Sequence, residues 1–197
     1  MLKRLFDIVA SGCGLIVLSP LFIVLAIWIK LDSKGPVFYR QVRVGRGNRD
    51  FRLYKFRSMR VGADKQGLIT VGGRDPRITR SGYFIRKYKL DEFPQLINVF
   101  VGDMSLVGPR PEVRKYVDMY TAEQLRVLSV RPGITDLASI RYRNENELLE
   151  QAEDPDSYYE QVIMQDKLRI NLEYVDNHCF VNDIKLIFMT FWEIVAK

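Results

Sequence analysis

The chain has 197 residues, of which 47% are hydrophobic and 27% charged, and this composition excludes both a disordered chain and a protein built mainly of membrane helices. Two cysteines and a single histidine exclude a disulfide scaffold, a Cys/His zinc site and catalysis by several histidines. The net charge of +6 is unevenly distributed along the chain, because residues 30–90 carry +13 and the rest carries −7. This basic segment predicts an anionic partner.

The first predicted element is an apolar helix over residues 5–29, in which Asp7 is the only charge. At about 1.5 Å per residue, a helix of this length is long enough to cross a bilayer. Ser19 and Pro20 lie near its middle, where proline removes a backbone hydrogen bond, and basic residues flank both ends, which favours the cytoplasmic side for each. A broken, re-entrant helix satisfies both observations. The alternative is a helix that spans the bilayer and leaves a few residues outside.

Two stretches follow, over residues 36–45 and 50–59, in which apolar and polar residues alternate around a GRGN turn. This pattern predicts a β-hairpin. Residues 61–81, rich in Gly, Asp and Arg, predict a loop, and residues 81–90 a short helix or turn. The next helix is expected to start near Asp91, with Pro94 in its first turn.

The remaining sequence predicts two loops punctuated by Gly and Pro and a series of helices. The loops cover 102–112 and 129–141, the helices cover 112–120, 157–175 and 181–196, and residues 144–156 are acidic and polar. No repeat and no long linker interrupts this order. We therefore expect an α+β fold, mostly helical with a small β-hairpin, divided into a membrane-embedded segment over 1–32 and a catalytic domain over 33–197.

Asp91 and Glu92 are adjacent carboxylates at a predicted helix start, just after a cluster of basic residues. A helix N-terminus stabilises an ionised carboxylate and attracts phosphate. Such a carboxylate can attack phosphorus and form an acyl phosphate, while its neighbour holds Mg²⁺ together with phosphate oxygens. The alternative is a pair of capping carboxylates that only stabilises the helix.

Arg110 lies between Pro109 and Pro111, which restrict the backbone around its guanidinium. A guanidinium held in this way is suited to bidentate phosphate binding. Arg131 in the sequence Arg-Pro-Gly repeats this arrangement more weakly. Each arginine could instead belong to a turn and be solvated.

The ordered motifs YKFRSM, LDEFPQLINVF, GDMSLVGPRP and RPGIT follow an apolar helix with Ser-Pro in its middle. This combination resembles the bacterial sugar transferase family, the monotopic phosphoglycosyl transferases, from about Lys3 to Phe188. The resemblance implies transfer of a sugar-1-phosphate from a UDP-sugar to undecaprenyl phosphate at the cytoplasmic face of the bacterial inner membrane. The product would begin the synthesis of a capsule, an O-antigen, an exopolysaccharide or another glycoconjugate.

The resemblance also implies roles for single residues. Asp91 would be the nucleophile that attacks the β-phosphate and releases UMP, and Mg²⁺ would be held by Asp91 and Glu92. Ser19 and Pro20 would form the break of a re-entrant helix. The basic positions implied to bind substrate are Lys55, Arg86, Arg110 and Arg143, to which the Arg-Pro-Gly pattern adds Arg131.

Two positions depart from the pattern of the family. Asn171 stands where the family often has aspartate, which puts any charged role there in doubt. Asp136 follows RPGIT, where glycine is frequent in the family, and its effect is not evident from the sequence.

The alternative function is that of a non-catalytic, membrane-anchored module whose basic segment holds anionic lipid or nucleic acid. The aromatic residues of the predicted hairpin alternate in a way that suits a protein core, so we expect no nucleic-acid partner. His178 and Cys179 are interpreted as residues without a catalytic role. Phe188, Phe191 and Trp192 are expected to pack in the core, or else to rest on a membrane surface.

Overall fold

The computed structural model describes residues 2–67 and 75–195. Its longest element is the helix α1, Leu2–Asp32. Within the described ranges, α1 is the only helix that is long and apolar enough to cross a membrane. The rest is mostly helical with two small sheets, which confirms the predicted fold class.

The backbone of α1 remains helical through Ser19 and Pro20. Pro20 has no N–H, so the carbonyl of Ile16 loses its usual donor. The Ser19 hydroxyl donates to that carbonyl at 2.7 Å and replaces the missing bond. The predicted break between two helices is therefore corrected in one respect, because helical structure is not interrupted at the Ser-Pro pair.

The N-terminal end of α1 is hydrogen-bonded to the globular part of the chain. Arg4 donates to the carbonyls of Val99 at 2.6 Å and Phe100 at 2.9 Å. The buried carboxylate of Asp7 accepts from the Ser105 hydroxyl at 2.9 Å and from the Leu106 amide at 3.1 Å. Because these bonds satisfy buried polar groups, they fix this end of the helix against the domain.

The C-terminal end of α1 is fixed to the same domain. The guanidinium of Arg57 donates to the carbonyls of Ser33 and Lys34, each at 2.7 Å, and so caps the end of the helix. The Asp32 carboxylate accepts from the amide of Ser81 at 2.9 Å. Between the two fixed ends, Ile16 and Val17 are three-quarters exposed. The helix therefore contacts one globular unit at both ends and leaves apolar side chains uncovered between them.

The predicted hairpin is confirmed as β1, Phe38–Val44, and β2, Asp50–Phe56, which pair antiparallel with Phe38 opposite Phe56. Phe56 is buried and packs with Leu25 and Ile29 of α1 and with Ile85. This cluster joins the hairpin to α1.

The two predicted loops over 102–112 and 129–141 contain two short strands that the sequence did not indicate. The strands β3, Ser105–Val107, and β4, Gly133–Thr135, pair in parallel. Their approach requires glycine, because a Cβ on Gly133 would lie 2.1 Å from the Gly108 nitrogen. Three-residue strands that pair across a long sequence separation leave no local periodicity, which explains the error.

Most of the other helices follow the predicted order with shifted boundaries, but the helices over 137–141 and 145–150 lie in stretches where the sequence predicted a loop or only an acidic, polar segment. The bounds are α2, Arg80–Lys87; α3, Gln95–Val101; α4, Arg114–Val117; α5, Leu137–Arg141; α6, Glu145–Glu150; α7, Pro155–Tyr158; α8, Met164–Asn177; and α9, Phe180–Val195, with a π-helical turn Tyr159–Ile163 joining α7 to α8. The helices predicted over 157–175 and 181–196 are confirmed, as is the short helix over 81–90. The loop predicted over 61–81 lies partly outside the described residues.

The helix expected to begin near Asp91 begins four residues later. Asp91 belongs to a 3₁₀ turn, Leu90–Glu92, and α3 starts at Gln95 after Pro94. Lys89, which precedes the turn, has a left-handed backbone with φ 53°, a conformation that strains a residue other than glycine. This local turn replaces the simple helix start that the sequence predicted.

The hydrophobic core has a second cluster at a distance from α1. It consists of Val113, Tyr116, Val127, Leu149, Tyr159, Ile163, Met164 and Leu168. Phe56 from the cluster around α1 and Tyr116, Leu149 and Tyr159 from this one line a common cavity. The cavity therefore lies between this second cluster and the cluster that packs against α1.

Candidate active site

A cavity of about 760 Å³ brings together most of the predicted site residues. Its walls come from the β1–β2 hairpin, the connection between α2 and α3, the Arg110 loop and the segment around α5 and α6. Among its lining residues are Lys55, Arg86, Asp91, Glu92, Arg110 and Arg143. Six of the seven charged site residues predicted from the sequence thus share one cavity.

The Asp91 side chain faces this cavity with a carboxylate that is not engaged by the protein. The residue is 8% exposed, and none of the described residues donates a hydrogen bond to it. Burial raises the pKa of Asp91, and the charge of Glu92 adds to this effect against the opposing charges of Lys55 and Arg86. A buried carboxylate without partners is costly to the protein and is available to a ligand.

Glu92 has the opposite surroundings. Lys55 Nζ lies 3.2 Å from Glu92 Oε1, and Arg110 donates to both carboxylate oxygens, to Oε2 at 3.1 Å. Burial disfavours the charged form, but the charges of Arg110 and Lys55 outweigh it and hold the pKa of Glu92 well below its usual range. Glu92 is therefore ionised at neutral pH and positions two cations beside Asp91.

Arg110 is also fixed through its backbone. Its amide donates to Asp136 Oδ2 at 2.8 Å, and the same carboxylate accepts from the amide of Ser139 as the N-cap of α5. Burial raises the pKa of Asp136, against these hydrogen bonds and the charge of Arg110. The aspartate that departs from the family pattern therefore joins the Arg110 loop to α5.

The structure places Arg131 apart from the other predicted site residues. Its Nε donates to the carbonyl of Gly102 at 2.9 Å, and Arg131 is not among the residues that line the cavity. The cause is the close pairing of Gly108 with the 131–133 backbone, which places the two proline-flanked loops side by side and directs Arg131 toward α3. The loops of Arg110 and Arg131 are similar in local sequence, but only Arg110 lines the cavity.

The structure also shows where the remaining residues discussed from the sequence lie. Asn171 is buried in α8 outside the cavity lining, so its difference from aspartate does not alter the site directly. His178 and Cys179 are exposed. The expectation that Phe188, Phe191 and Trp192 pack in the core is wrong, since they are 63–73% exposed.

Sequence reasoning missed a group of polar and aromatic residues that line the cavity beyond Arg110. The group includes Arg43, Glu112, Tyr116, Tyr142, Asn146, Tyr159 and Lys167. They come from seven separate elements or loops, so no motif unites them. The only local signal was Glu112, which directly follows the GPRP motif.

The donor set fits Mg²⁺ only together with a phosphorylated ligand. Among residues 2–67 and 75–195, no group of three or more His, Cys, Asp or Glu side chains is placed to hold a metal. Asp91 is available as a ligand, whereas Lys55 and Arg110 occupy both oxygens of Glu92. Protein Mg²⁺ sites often use one or two carboxylates with phosphate oxygens and water, and Asp91 meets that requirement.

Comparison with known proteins gives one family over the whole chain. The family model described as "Bacterial sugar transferase" matches residues 1–197. An uncharacterized sugar transferase of Bacillus subtilis is 36% identical over 100% of this chain and 89% of its own length. An exopolysaccharide production protein of Rhizobium leguminosarum is 38% identical over 96% of this chain and 93% of its own length.

Longer relatives carry more specific names. A UDP-N-acetylgalactosamine-undecaprenyl-phosphate N-acetylgalactosaminephosphotransferase of Aeromonas hydrophila is 47% identical over 71% of this chain and 34% of its own length. A UDP-glucose:undecaprenyl-phosphate glucose-1-phosphate transferase of Escherichia coli is 37% identical over 96% of this chain and 39% of its own length. The chain thus spans little more than a third of these two relatives.

Proposed function

Because the chain belongs to the bacterial sugar transferase family, we propose that it is an enzyme that transfers a sugar-1-phosphate from a UDP-sugar to undecaprenyl phosphate. The donor and acceptor classes are those in the names of the Aeromonas and Escherichia relatives. The observation that carries the proposal is the buried, unengaged carboxylate of Asp91 in a cavity lined by basic side chains.

The proposed reaction has two displacements at one phosphorus atom. Arg86, Lys89 and Arg143 line the cavity and would bind the diphosphate of the donor. An oxygen of Asp91 attacks the β-phosphorus, the bond from that phosphorus to the bridging oxygen breaks, and UMP leaves. The sugar phosphate remains as an acyl phosphate on Asp91.

In the second displacement, an oxygen of undecaprenyl phosphate attacks the same phosphorus. The bond to Asp91 breaks, which regenerates the carboxylate and leaves a diphosphate between lipid and sugar. Throughout, Glu92 keeps Lys55 and Arg110 beside the reacting phosphate. This arrangement stabilises negative charge where it develops.

We propose that Mg²⁺ binds at Asp91, and the role of Glu92 as a second ligand, which the family resemblance implies, remains a prediction. When bound, the ion would neutralise phosphate charge and so make attack by a carboxylate easier. Removal of divalent cations with EDTA is expected to abolish UMP release, and added Mg²⁺ to restore it. Full activity in EDTA would exclude this part of the proposal.

We further propose that the protein is monotopic at the cytoplasmic face of the bacterial inner membrane, with α1 embedded as a re-entrant segment. Supporting this, both ends of α1 hydrogen-bond to the domain and its middle exposes apolar side chains. Exposed Phe188, Phe191 and Trp192 on α9 suit a lipid interface. This placement would bring the lipid phosphate and the soluble donor to the same cavity.

Release of UMP from UDP-sugars without any lipid acceptor tests the covalent step. The wild-type protein is expected to release about one UMP per active site in a burst, and D91N to release none. D176N is the matched control, since Asp176 is an exposed aspartate paired with Arg126, and it should behave as wild type.

Two outcomes would contradict the proposal. A full burst in D91N would remove Asp91 as the nucleophile. No UMP release by the wild type from any UDP-sugar, with or without undecaprenyl phosphate, combined with salt-sensitive binding to anionic vesicles, would favour the non-catalytic lipid-binding module.

A further inference from the structure

The cavity continues past Arg110 into a region that the proposed chemistry does not use. We call it the tyrosine lobe and define it by Glu112, Tyr116, Tyr142, Asn146 and Tyr159, with Arg43, Glu145, Leu149 and Lys167 around them. Its tyrosines belong to the second core cluster, which contains Val113 and Leu168, or pack against it. We propose that the tyrosine lobe binds the sugar ring of the donor and that the Tyr116 hydroxyl is one of its specificity-determining contacts, an inference that rests on the proposed function.

The cations of the tyrosine lobe are already neutralised by the protein. Arg43 lies 3.4 Å from Glu112, and Lys167 pairs with Glu145. A region whose charges are paired in this way offers little attraction to a phosphate but keeps many hydrogen-bonding atoms, which suits a neutral, hydroxyl-rich ligand.

The opposite part of the cavity has a different charge balance. Arg57, Arg60 and Arg86 line it, and Asp64 is the acidic residue that lines it beside them in the described part of the chain. Anionic phosphates are therefore directed to that part and to Asp91. With the diphosphate placed there, the tyrosine lobe is left for the neutral portion of the donor.

Tyr116 supplies the specific observation. The residue is 3% exposed and lines the cavity, and its hydroxyl has no hydrogen-bond partner among the described residues. Its ring packs against Tyr159, with centroids 4.9 Å apart. Neighbouring buried polar groups are satisfied, since the Tyr159 hydroxyl donates to Glu112 Oε1 at 2.8 Å.

The unpartnered hydroxyl can be satisfied by a ligand. Burial and nearby carboxylates raise the pKa of Tyr116 to about 12, so the hydroxyl stays protonated and can donate at neutral pH. A buried polar group without a partner is unfavourable, and a site of this kind discriminates strongly in favour of ligands that supply the missing bond. A sugar hydroxyl or acetamido oxygen is such a group.

The test compares wild type with Y116F, which removes only the hydroxyl. UMP release is measured with UDP-glucose, UDP-galactose and their N-acetylamino counterparts, together with the inhibition constant of UMP and the thermal midpoint. For the preferred donor, kcat/KM is expected to fall about tenfold or more. The inhibition constant of UMP should not change, because UMP lacks the sugar, and the thermal midpoint should stay equal or rise.

Y120F is the matched control. Tyr120 lies four residues along the chain, packs against the same core cluster and is not among the residues that line the cavity. This variant should keep the wild-type kcat/KM for every donor.

Three other results of this experiment would each overturn the inference. Equal weakening of UMP inhibition and of kcat/KM would place the nucleotide in the tyrosine lobe. Unchanged kinetics in Y116F would show that Tyr116 does not contact the donor, and a lower thermal midpoint with proportional loss for all donors would indicate a structural role. Failure of the proposed function is separate, because then the wild type itself releases no UMP.

Discussion

At the scale of single residues, Asp91 and Glu92 show how surroundings distinguish two adjacent carboxylates. Burial raises the pKa of Asp91, which has no hydrogen-bond partner among the described side chains and amides. Arg110 and Lys55 keep Glu92 ionised despite its burial. Opposite shifts in neighbouring carboxylates are typical of sites in which the two groups have different tasks.

D91N is expected to be inactive yet at least as stable as wild type at neutral pH. The folded-state pKa of Asp91 is raised, so its charged form reduces the stability of the fold once the pH exceeds the ordinary value of 3.8. The amide removes this penalty. Thermal midpoints should therefore show a gain for D91N near pH 7 that disappears below about pH 4. A lower midpoint at pH 7 would show that Asp91 stabilises the fold.

E92Q is expected to change stability in the opposite direction. The folded-state pKa of Glu92 is lowered, so the ion pairs stabilise the protein above the ordinary carboxyl value of 4.5 and are lost as the pH falls through the folded-state pKa. The side chains of Lys55, Glu92 and Arg110 are 18–33% exposed, so solvent weakens their ion pairs. We therefore expect a loss of about 1–2 kcal/mol in the free energy of unfolding at pH 7. Urea titrations measure it, and an unchanged midpoint would show that the pairs contribute nothing.

At the scale of elements, the parallel pair β3–β4 positions the Arg110 loop. Gly108 donates to the Thr135 carbonyl at 3.1 Å, and Gly133 donates to the Pro109 carbonyl at 3.0 Å. Asp136, which follows β4, then accepts from the Arg110 amide. Hydrogen bonds therefore join two loops that are distant in sequence, and they do so next to Arg110, the arginine that contacts Glu92.

G133A should disrupt this junction. The added Cβ would lie 2.1 Å from the Gly108 nitrogen, a backbone atom that cannot rotate away. We expect a loss of about 2–4 kcal/mol in the free energy of unfolding, and in the folded fraction a lower rate of UMP release because Arg110 is displaced. G47N is the control, since Gly47 has open space around it and asparagine tolerates its left-handed backbone. Wild-type stability in G133A would contradict the close approach of the strands.

At the scale of the whole molecule, α1 and the domain form one unit. Arg4 and Asp7 near one end and Arg57 at the other end form hydrogen bonds between the helix and the domain. A helix that spanned the bilayer would have to break the contacts at its N-terminus. These contacts support the proposal that both basic ends remain on one side of the membrane.

Cysteine accessibility measures this topology. L2C and K34C introduce thiols at exposed positions at the two ends of α1, in a background that carries C13S and C179S because both natural cysteines are exposed. A membrane-impermeant maleimide should label neither position in spheroplasts and both in inverted vesicles. Labelling of L2C alone from the outer side would establish a spanning helix instead.

The apolar helix, the hairpin and the two C-terminal helices could be predicted from the sequence. Each rests on local periodicity, which records the face or surface that an element presents to its surroundings. The motif around Asp91 and Glu92 could also be recognised in the sequence, because the two carboxylates are neighbours in the chain. Burial and charge in the folded protein were needed to distinguish them.

The set of distant residues that share the cavity became evident only from the folded protein. Lys55, Arg110 and Arg143 meet there, whereas Arg131, in a loop of similar sequence, does not. The β3–β4 pair and the unpartnered hydroxyl of Tyr116 could not be predicted from the sequence either. The reason is physical: pairing of short strands, close contact between glycines and the satisfaction of buried polar groups depend on atoms far apart in the chain, and no local pattern of residues encodes them.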